Sequence, residues 1–245
     1  MQSHVRVARK KGLFHVSDTD QIQLVRDYYL HDNDVEPSIY HIWEKGRGRG
    51  DVTTPATSSA PYQEHMDSLL RGFLAESPDP GLLSLGCGNA MIESGIAADG
   101  IRVLGVDAIE YAVELAAAKG VDAVRADVLR WTPPPGPWTV VYVDGMLGHI
   151  YDSAGAGLTN ALKRFTSWLA EDGVLVISND EPRADAEPGA EVQEHPGVPG
   201  YFFFTQRYLH RQVEECGLRD VTSTMFTFEK PLSGPRNRVI VTGRA

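Results

Sequence analysis

The stretch from Leu82 to Ala90 constrains this chain more than any other. Leu82-Leu83-Ser84-Leu85 is a largely apolar run of strand length that stops at Gly86-Cys87-Gly88, and an amphipathic segment follows. Strand, Gly-x-Gly loop and helix in that order put the loop at the carboxyl edge of a parallel sheet, where open α/β sheets bind ligands. Gly86 and Gly88 lack a Cβ, so positive φ is open to them and a ligand atom can come close to the backbone. Taken alone, Gly-x-Gly fits an ordinary strand-to-helix turn equally well.

Two further runs narrow the choice. Ile101-Arg102-Val103-Leu104-Gly105-Val106-Asp107 reads as a strand ending in an acid, about twenty residues after the loop. In nucleotide-binding sheets an acid at that spacing accepts hydrogen bonds from ribose hydroxyls. Val121-Asp122-Ala123-Val124-Arg125-Ala126-Asp127-Val128 reads as a third strand run ending in another acid.

With this loop and these two acids, the sequence from about Leu82 to the C-terminus resembles the class I S-adenosylmethionine-dependent methyltransferases of the small-molecule type. The resemblance implies a Rossmann-like α/β fold with a seven-stranded, mostly parallel sheet, a C-terminal antiparallel hairpin and an N-terminal helical lid. It also implies S-adenosyl-L-methionine as cofactor. Gly86 and Gly88 would contact its methionine part, Asp107 its ribose and Asp127 its adenine amino group. Cys87, Asn89, Ala108, Ala126, Val128, Asp144 and Gly145 complete the implied cofactor set, with Tyr40 and Trp43 from the lid. The family usually carries an acid just before the loop, where this chain has Ser84. That departure leaves the partner of the cofactor's ammonium open, with Asp144 or an N-terminal residue as candidates.

A dinucleotide-dependent oxidoreductase is the rival. Its G-x-G-x-x-G/A pattern needs Gly or Ala where Met91 stands, because its loop presents N–H groups to a pyrophosphate. Here the small residue comes one place early, at Ala90. A sulfonium nucleoside has no phosphate and does not require that spacing, so the methyltransferase reading is preferred.

Composition sets outer bounds. The 245 residues suit one α/β domain with additions, or at most two small domains, large enough to bury a core without disulfides. Two cysteines, Cys87 and Cys216, make no disulfide framework. A net charge of −10 argues against a nucleic-acid substrate and weakly favours an amine-bearing small molecule. The start, Met1 to Arg6, lacks the apolar core of a signal peptide, and no run reaches membrane-spanning length. The expectation is a cytoplasmic enzyme with no membrane partner; the sequence leaves room for a homo-oligomer.

We divide the chain into a helical lid or substrate cap, residues 1–76, and a cofactor-binding core, residues 77–245. Residues 1–16 are basic and read as a frayed terminus. Ser17 to Asp20 offer N-caps for a helix over Gln21–Leu30, residues 31–37 break it, and Ser38–Trp43 reads as a short second helix. Tyr40 and Trp43 either close over the cofactor or simply pack the lid on the sheet. A glycine-rich basic loop leads to a helix near Tyr62–Leu74. Beyond the first core strand, helices are expected over Glu93–Ala98, Glu110–Lys119, Leu158–Leu169 and Gln206–Cys216. Further strands are expected over Thr139–Asp144, Gly173–Asp180, Val221–Phe228 and Arg238–Thr242. Residues 181–200 are polar, Pro- and Gly-rich, and long for a connection, which marks a functional loop.

Methyl transfer from a sulfonium is an in-line displacement, so the protein's part is to align the acceptor and manage its proton. The stretch Val143-Asp144-Gly145-Met146-Leu147-Gly148-His149-Ile150-Tyr151-Asp152 leaves the fourth strand beside the cofactor. Locally it resembles guanidinoacetate N-methyltransferases, in which an acid ending the fourth strand binds the guanidino group, a role that would fall to Asp144. Asp144 equally fits a helix N-cap. His149 suits a base at neutral pH or a packing role. Tyr151, with Asp180 and Glu181 after the fifth strand, would complete an acidic acceptor pocket, although Asp180-Glu181 also fits a solvated turn. Tyr201-Phe202-Phe203-Phe204 either walls the pocket or is a buried connector. His4, His15, His31, His41, His65, His195 and His210 show no metal-ligand spacing, so no metal is expected. The leading expectation is N-methylation of a small amine, amino acid or guanidine. The alternatives are a metal-free O-methyltransferase with His149 as base and a non-catalytic cofactor-binding protein.

Overall fold

The computed structural model describes residues 7–8, 18–30, 38–153, 156–198 and 200–245. In chain order the elements are β1 (Val7–Ala8), α1 (Asp18–Tyr29), α2 (Ile39–Trp43), α3 (Pro55–Ser58), α4 (Ala60–Leu74), β2 (Gly81–Leu85), α5 (Glu93–Ala98), β3 (Arg102–Asp107), α6 (Glu110–Ala118), β4 (Asp122–Arg125) and β5 (Trp138–Asp144). After a 3₁₀ turn at Leu147–His149 come α7 (Thr159–Thr166), β6 (Leu169–Asp180), β7 (Val192–Glu194), β8 (Phe202–Phe204), α8 (Gln206–Glu214), β9 (Arg219–Lys230) and β10 (Gly234–Arg244).

Seven strands form one sheet in the order β4-β3-β2-β5-β6-β10-β9. The first five of these pair in parallel, and the β9–β10 hairpin closes the sheet antiparallel to β6. This is the fold class that the sequence implies. The carboxyl ends of β2, β3, β5 and β6 therefore share one rim, and Gly86, Asp107, Asp144 and Asp180 all stand on it.

The strand sequences explain the layering. Successive side chains of a strand point to opposite faces. Leu83, Leu85, Val141, Val143, Leu175 and Ile177 enter one core with Leu162, Phe165, Leu209 and Val213 of α7 and α8. Leu82, Val140, Tyr142, Val174 and Val176 enter the other with Tyr62, Met66, Leu70 and Leu74 of α4. Those four α4 residues recur every fourth position and make one stripe on the helix. The fifteen-residue α4, assigned above to the lid, thus packs on the sheet, while α1 and α2 join a smaller cluster around Ile39, Tyr40, Trp43 and Ile109. Ser38, Ser59 and Thr205 cap α2, α4 and α8 through side-chain oxygens.

Three expectations change. The third strand run ends at Arg125, and Asp127 lies in the turn beyond it, where its Oδ1 accepts from Leu129 N at 2.9 Å. The stretch 181–200 is not wholly loop: β7 lies inside it and forms a three-stranded sheet with β1 and β8. Two- and three-residue strands give too few alternations to read locally, and their pairing partners are distant in sequence. The short α3, opened by Pro55, also went unseen. Ser17, the break at 31–37 and most of residues 1–16 lie outside the described residues.

Leu70 is fully buried at the centre of the α4 stripe. Leu70→Ala should lower the unfolding free energy by about 2–5 kcal/mol in urea denaturation. A loss below ~1 kcal/mol would mean that α4 is not part of the core.

Candidate active site

A cavity of about 1340 Å³ opens on the rim. That exceeds the several hundred Å³ usual for one small ligand, so it has room for two. Tyr40, Trp43, Gly86, Cys87, Gly88, Asn89, Asp107, Ala108, Ala126, Asp127, Val128, Asp144, Gly145, His149, Tyr151 and Asp180 all border it. Glu181 does not. One residue past the end of β6, its carboxylate accepts from Asn237 Nδ2 at 3.0 Å instead.

The glycine loop forms the floor of one half. Gly86 and Gly88 have φ of +71° and +54°. A Cβ on Gly86 would sit 2.7 Å from the Cβ of Met146, so position 86 accepts only hydrogen on both steric and conformational grounds. Gly105 makes room for Cys87 in the same way: a Cβ there would meet Cys87 Sγ at 2.8 Å. Asp107 braces the loop. Its Oδ2 accepts from Gly88 N at 3.0 Å and its Oδ1 from Ile109 N at 2.8 Å. Burial pushes its pKa up to about 6, against the lowering effect of those N–H donors.

Glu93 was missed by sequence reasoning. It opens α5, is 5% exposed and borders the cavity. Ser84 Oγ donates to its Oε1 at 2.6 Å, and no ion pair reaches it among the described residues. Burial raises its pKa to about 7, with the Ser84 bond working the other way. A carboxylate therefore stands beside the strand position where the sequence has only a serine. The signal was present, a Glu nine residues after that serine, but its inward orientation is a tertiary fact.

The other half of the floor is an ion triad. The Arg238 guanidinium, 2% exposed, donates to Asp144 Oδ1 through Nη2 and to Asp180 Oδ1 through Nη1 at 2.8 Å. Its Nε reaches Ser178 Oγ at 3.1 Å. Tyr62 and Tyr142 donate to Asp144 Oδ2 at 3.1 and 2.9 Å. Burial would raise the Asp180 carboxyl, but the positive charges of Arg238, Lys230 and Arg236 outweigh it and hold the group below its usual range. The expected acidic edge is thus two carboxylates around one guanidinium, with one formal negative charge left over. Arg238 is more than fifty residues from both carboxylates in sequence, so no local pattern announces it.

Aromatic side chains roof the cavity. Tyr29 stacks on Tyr40 at 5.4 Å and meets Trp43 edge-on at 5.6 Å. The Tyr29 hydroxyl lies 3.1 Å from His149 Nε2, and the His149 ring sits 4.6 Å from Tyr201. Burial, helped by nearby His195, pulls the His149 pKa down to about 4, so the ring is neutral at pH 7. Glu44, at the end of α2, accepts from Asn89 Nδ2 at 2.7 Å and pairs with Lys119 at 2.6 Å, which ties the roof to the glycine loop. Tyr201, Phe202 and Phe203 both wall the cavity and belong to the buried connector, so the two readings of that run merge.

A parallel sheet with a glycine loop, a carboxylate ending the next strand and room for two ligands defines a nucleoside-cofactor enzyme. A family profile described as "Methyltransferase domain" matches residues 62–223. A tabtoxin biosynthesis enzyme of Pseudomonas amygdali pv. tabaci is 33% identical over 239 residues, covering 95% of this chain and 92% of that protein. Two solved structures share the fold. Haemonchus contortus phosphoethanolamine N-methyltransferase 2, with phosphomonomethylethanolamine and S-adenosylhomocysteine, gives a TM-score of 0.66 at 13% identity; the match covers 94% of this chain and 60% of that one. Burkholderia thailandensis 1,6-didemethyltoxoflavin-N1-methyltransferase, with its acceptor and S-adenosylhomocysteine, gives 0.62 at 18% identity, covering 95% and 92%.

The chain belongs to the methyltransferase-domain family. It is an S-adenosylmethionine-dependent methyltransferase of small molecules. The cradle fits that cofactor: close backbone approach is available at Gly88, where a Cβ would meet nothing nearer than Tyr40 at 3.9 Å, and buried carboxylates are available for hydroxyl and ammonium donors. No described helix is long and apolar enough to cross a membrane.

Removing the centre of the ion triad should be costly, because two buried carboxylates would then face each other. Arg238→Met is expected to cost about 3–5 kcal/mol of stability, read by urea denaturation at pH 7. A change within ~1 kcal/mol would contradict the triad.

Proposed function

We propose that the enzyme methylates a nitrogen of a small amine-bearing acceptor. The observation that carries this reading is the unbalanced triad: Asp144 and Asp180 keep one negative charge between them after pairing with Arg238. A carboxylate has about four lone-pair sites, and Asp180 Oδ2 accepts no bond from any described residue. An N–H donor is the ligand that such a group orients best. Low basicity at His149 supports nitrogen over oxygen. A hydroxyl acceptor needs a base, and an imidazole near pKa 4 holds a proton poorly at pH 7. A nitrogen acceptor that binds with its lone pair free needs no base from the protein. His149, as a neutral ring, accepts an N–H and fixes the lone pair. The naming of an N-methyltransferase in both solved neighbours agrees with this choice.

On the cofactor side, Gly86 and Gly88 receive the methionine part, Asp107 the ribose, and Asp127 with Ala126 and Val128 the adenine. Glu93 takes the ammonium, the task that the sequence left without an owner. When bound, S-adenosylmethionine supplies the sulfonium methyl. The chain orients the acceptor and keeps water out. Helices α1 and α2, with Tyr29, Tyr40 and Trp43, act as the lid, a smaller unit than the residue 1–76 division suggests. The cytoplasm remains the expected compartment.

The first test is the product. Methyl transfer from labelled cofactor to a panel of amines, amino acids and hydroxy acids should give an N-methyl product by mass spectrometry. Methylation on oxygen alone would overturn the reading. Asp144→Asn should reduce turnover by about 100-fold or more, the loss of roughly 3 kcal/mol expected for a charge-assisted contact, while circular dichroism stays native.

The second test is pH. Below about 7 the Glu93 carboxyl holds a proton, so it cannot pair with an ammonium. Cofactor affinity should rise by up to about tenfold per pH unit as the pH approaches 7. It should fall again above ~8, where an α-amino group loses its own proton. The same raised pKa makes the free protein lose stability as pH climbs from the usual 4.5 to about 7, since the folded state binds the proton more tightly. Glu93→Gln should remove the acid limb of the affinity profile, weaken cofactor binding roughly tenfold at pH 7.5 and stabilise the free protein there. Calorimetry showing an unchanged affinity and profile would dismiss Glu93 as the ammonium partner.

A further inference from the structure

The closing hairpin outgrows the sheet. The pairing of β10 with β6 begins at Arg238 and Asp180, so residues 230–237 stand above the rim. Cross-strand pairing and the two-residue period put Phe228, Lys230, Arg236 and Arg238 on one face of the hairpin. Lys230 and Arg236 border the cavity beside the ion triad.

Arg238 is fully engaged by its two carboxylates, but its neighbours are not. Among the described residues, neither Lys230 nor Arg236 has a carboxylate oxygen within 4.0 Å. Lys230 Nζ donates to the backbone carbonyl of Asp51 at 3.2 Å, and Arg236 Nη2 to that of Glu181 at 2.8 Å. The Asp51 carboxylate is turned toward the hairpin tip, where its Oδ1 accepts from Leu232 N at 2.7 Å and Ser233 N at 3.2 Å. The Arg236 guanidinium lies 5.4 Å from the centre of the Phe203 ring, which fixes its plane. An ammonium has three donors and a guanidinium five, so most of this donor capacity has no partner within the protein. Partly buried cations with no carboxylate in direct contact gain from a ligand that brings one. Burial and the nearby guanidinium groups pull Lys230 below the ordinary lysine value, although Asp180 and Asp51 pull the other way.

We propose that Lys230 and Arg236 form an anion subsite for a carboxylate carried by the methyl acceptor, which is therefore an amino acid. Along the rim the charge runs from negative at Asp144 and Asp180 to positive at the hairpin. The acceptor nitrogen lies at the first, near the cofactor, and its carboxylate at the second. The placement of the nitrogen rests on the N-methylation reading; the subsite itself does not.

The subsite is tested on the full-length protein with ¹³C-labelled lysine and S-adenosylhomocysteine bound. Acetate and glycine are titrated to roughly 100 mM, where a Kd in the millimolar range saturates. Both should shift one lysine ε-methylene signal saturably, the signal that disappears in Lys230→Met, and Arg236→Gln should raise the apparent Kd roughly tenfold. Methylamine should leave that signal in place. A flat response to both carboxylates, or an equal response to chloride at matched ionic strength, overturns the subsite. The two readings fail separately. An O-methylated product would remove the nitrogen assignment while the acetate shift stood, whereas an N-methylated product with no acetate shift would remove only the subsite.

Discussion

A guanidinium that is only 2% exposed must keep its counter-ions, and much of the active rim follows from that requirement. Arg238 comes from the antiparallel hairpin, while Asp144 and Asp180 end two parallel strands. Their pairing therefore locks three strands together at the floor of the cavity. Tyr62 extends the lock to α4, since its hydroxyl lies 2.6 Å from Ser178 Oγ and 3.1 Å from Asp144. Every member of this network has at least one partner, which favours rigidity, and Asp180 Oδ2 is the acceptor left open to a ligand. A ligand in this half of the cavity thus meets groups whose positions are set before it arrives.

The cofactor half obeys a different constraint, which is space. Gly86 faces Met146 so closely that no side chain fits, and Gly105 yields room to Cys87. Asp107 spends both oxygens on N–H groups, so its carboxylate is fixed while further lone pairs stay open to hydroxyls. The cofactor half is built from backbone and the triad half from side-chain charge. Burial acts on both, and it raises Glu93 and Asp107 because neither has the cation that holds Asp180 down.

Most of this fold can be read locally. The core strands, the glycine loop and the helices between them announce themselves through period, breakers and length, and residues 82–90 and 101–107 needed no tertiary knowledge. The acids at 107, 144 and 180 were also legible as rim residues, because a carboxylate that ends a parallel strand has nowhere else to go. What was not legible was their company. Arg238 lies 94 residues from Asp144 and 58 from Asp180, and only the hairpin register brings it there. Reading the acids without it overstated the negative charge of the pocket. Tyr29 and His149 are 120 residues apart, and Glu181 follows Asp180 directly yet turns to Asn237. Adjacent residues at a strand end diverge, and distant ones converge, for the same reason: the sheet decides, and its pairing is not a local property.

The roof shows how weakly held parts complete a rigid site. Helix α2 has five residues, too few to be stable alone, and it stays in place through contacts made by its side chains. Those contacts are of two kinds. Aromatic faces of Tyr29, Tyr40 and Trp43 cover the cavity, and the polar link from Glu44 to Asn89 and Lys119 anchors the helix to the loop and to α6. The first kind excludes water, which strengthens every charge interaction beneath it. The second is partly exposed and correspondingly weak. Ile39, Tyr40 and Trp43 are buried in one small cluster with Ile109 and Ala112, so the roof rests on a few side chains apart from the sheet's two cores. The cavity thus has a floor fixed by the buried triad and a roof carried by a separate, smaller cluster, and the two are joined through the Glu44 link to the glycine loop.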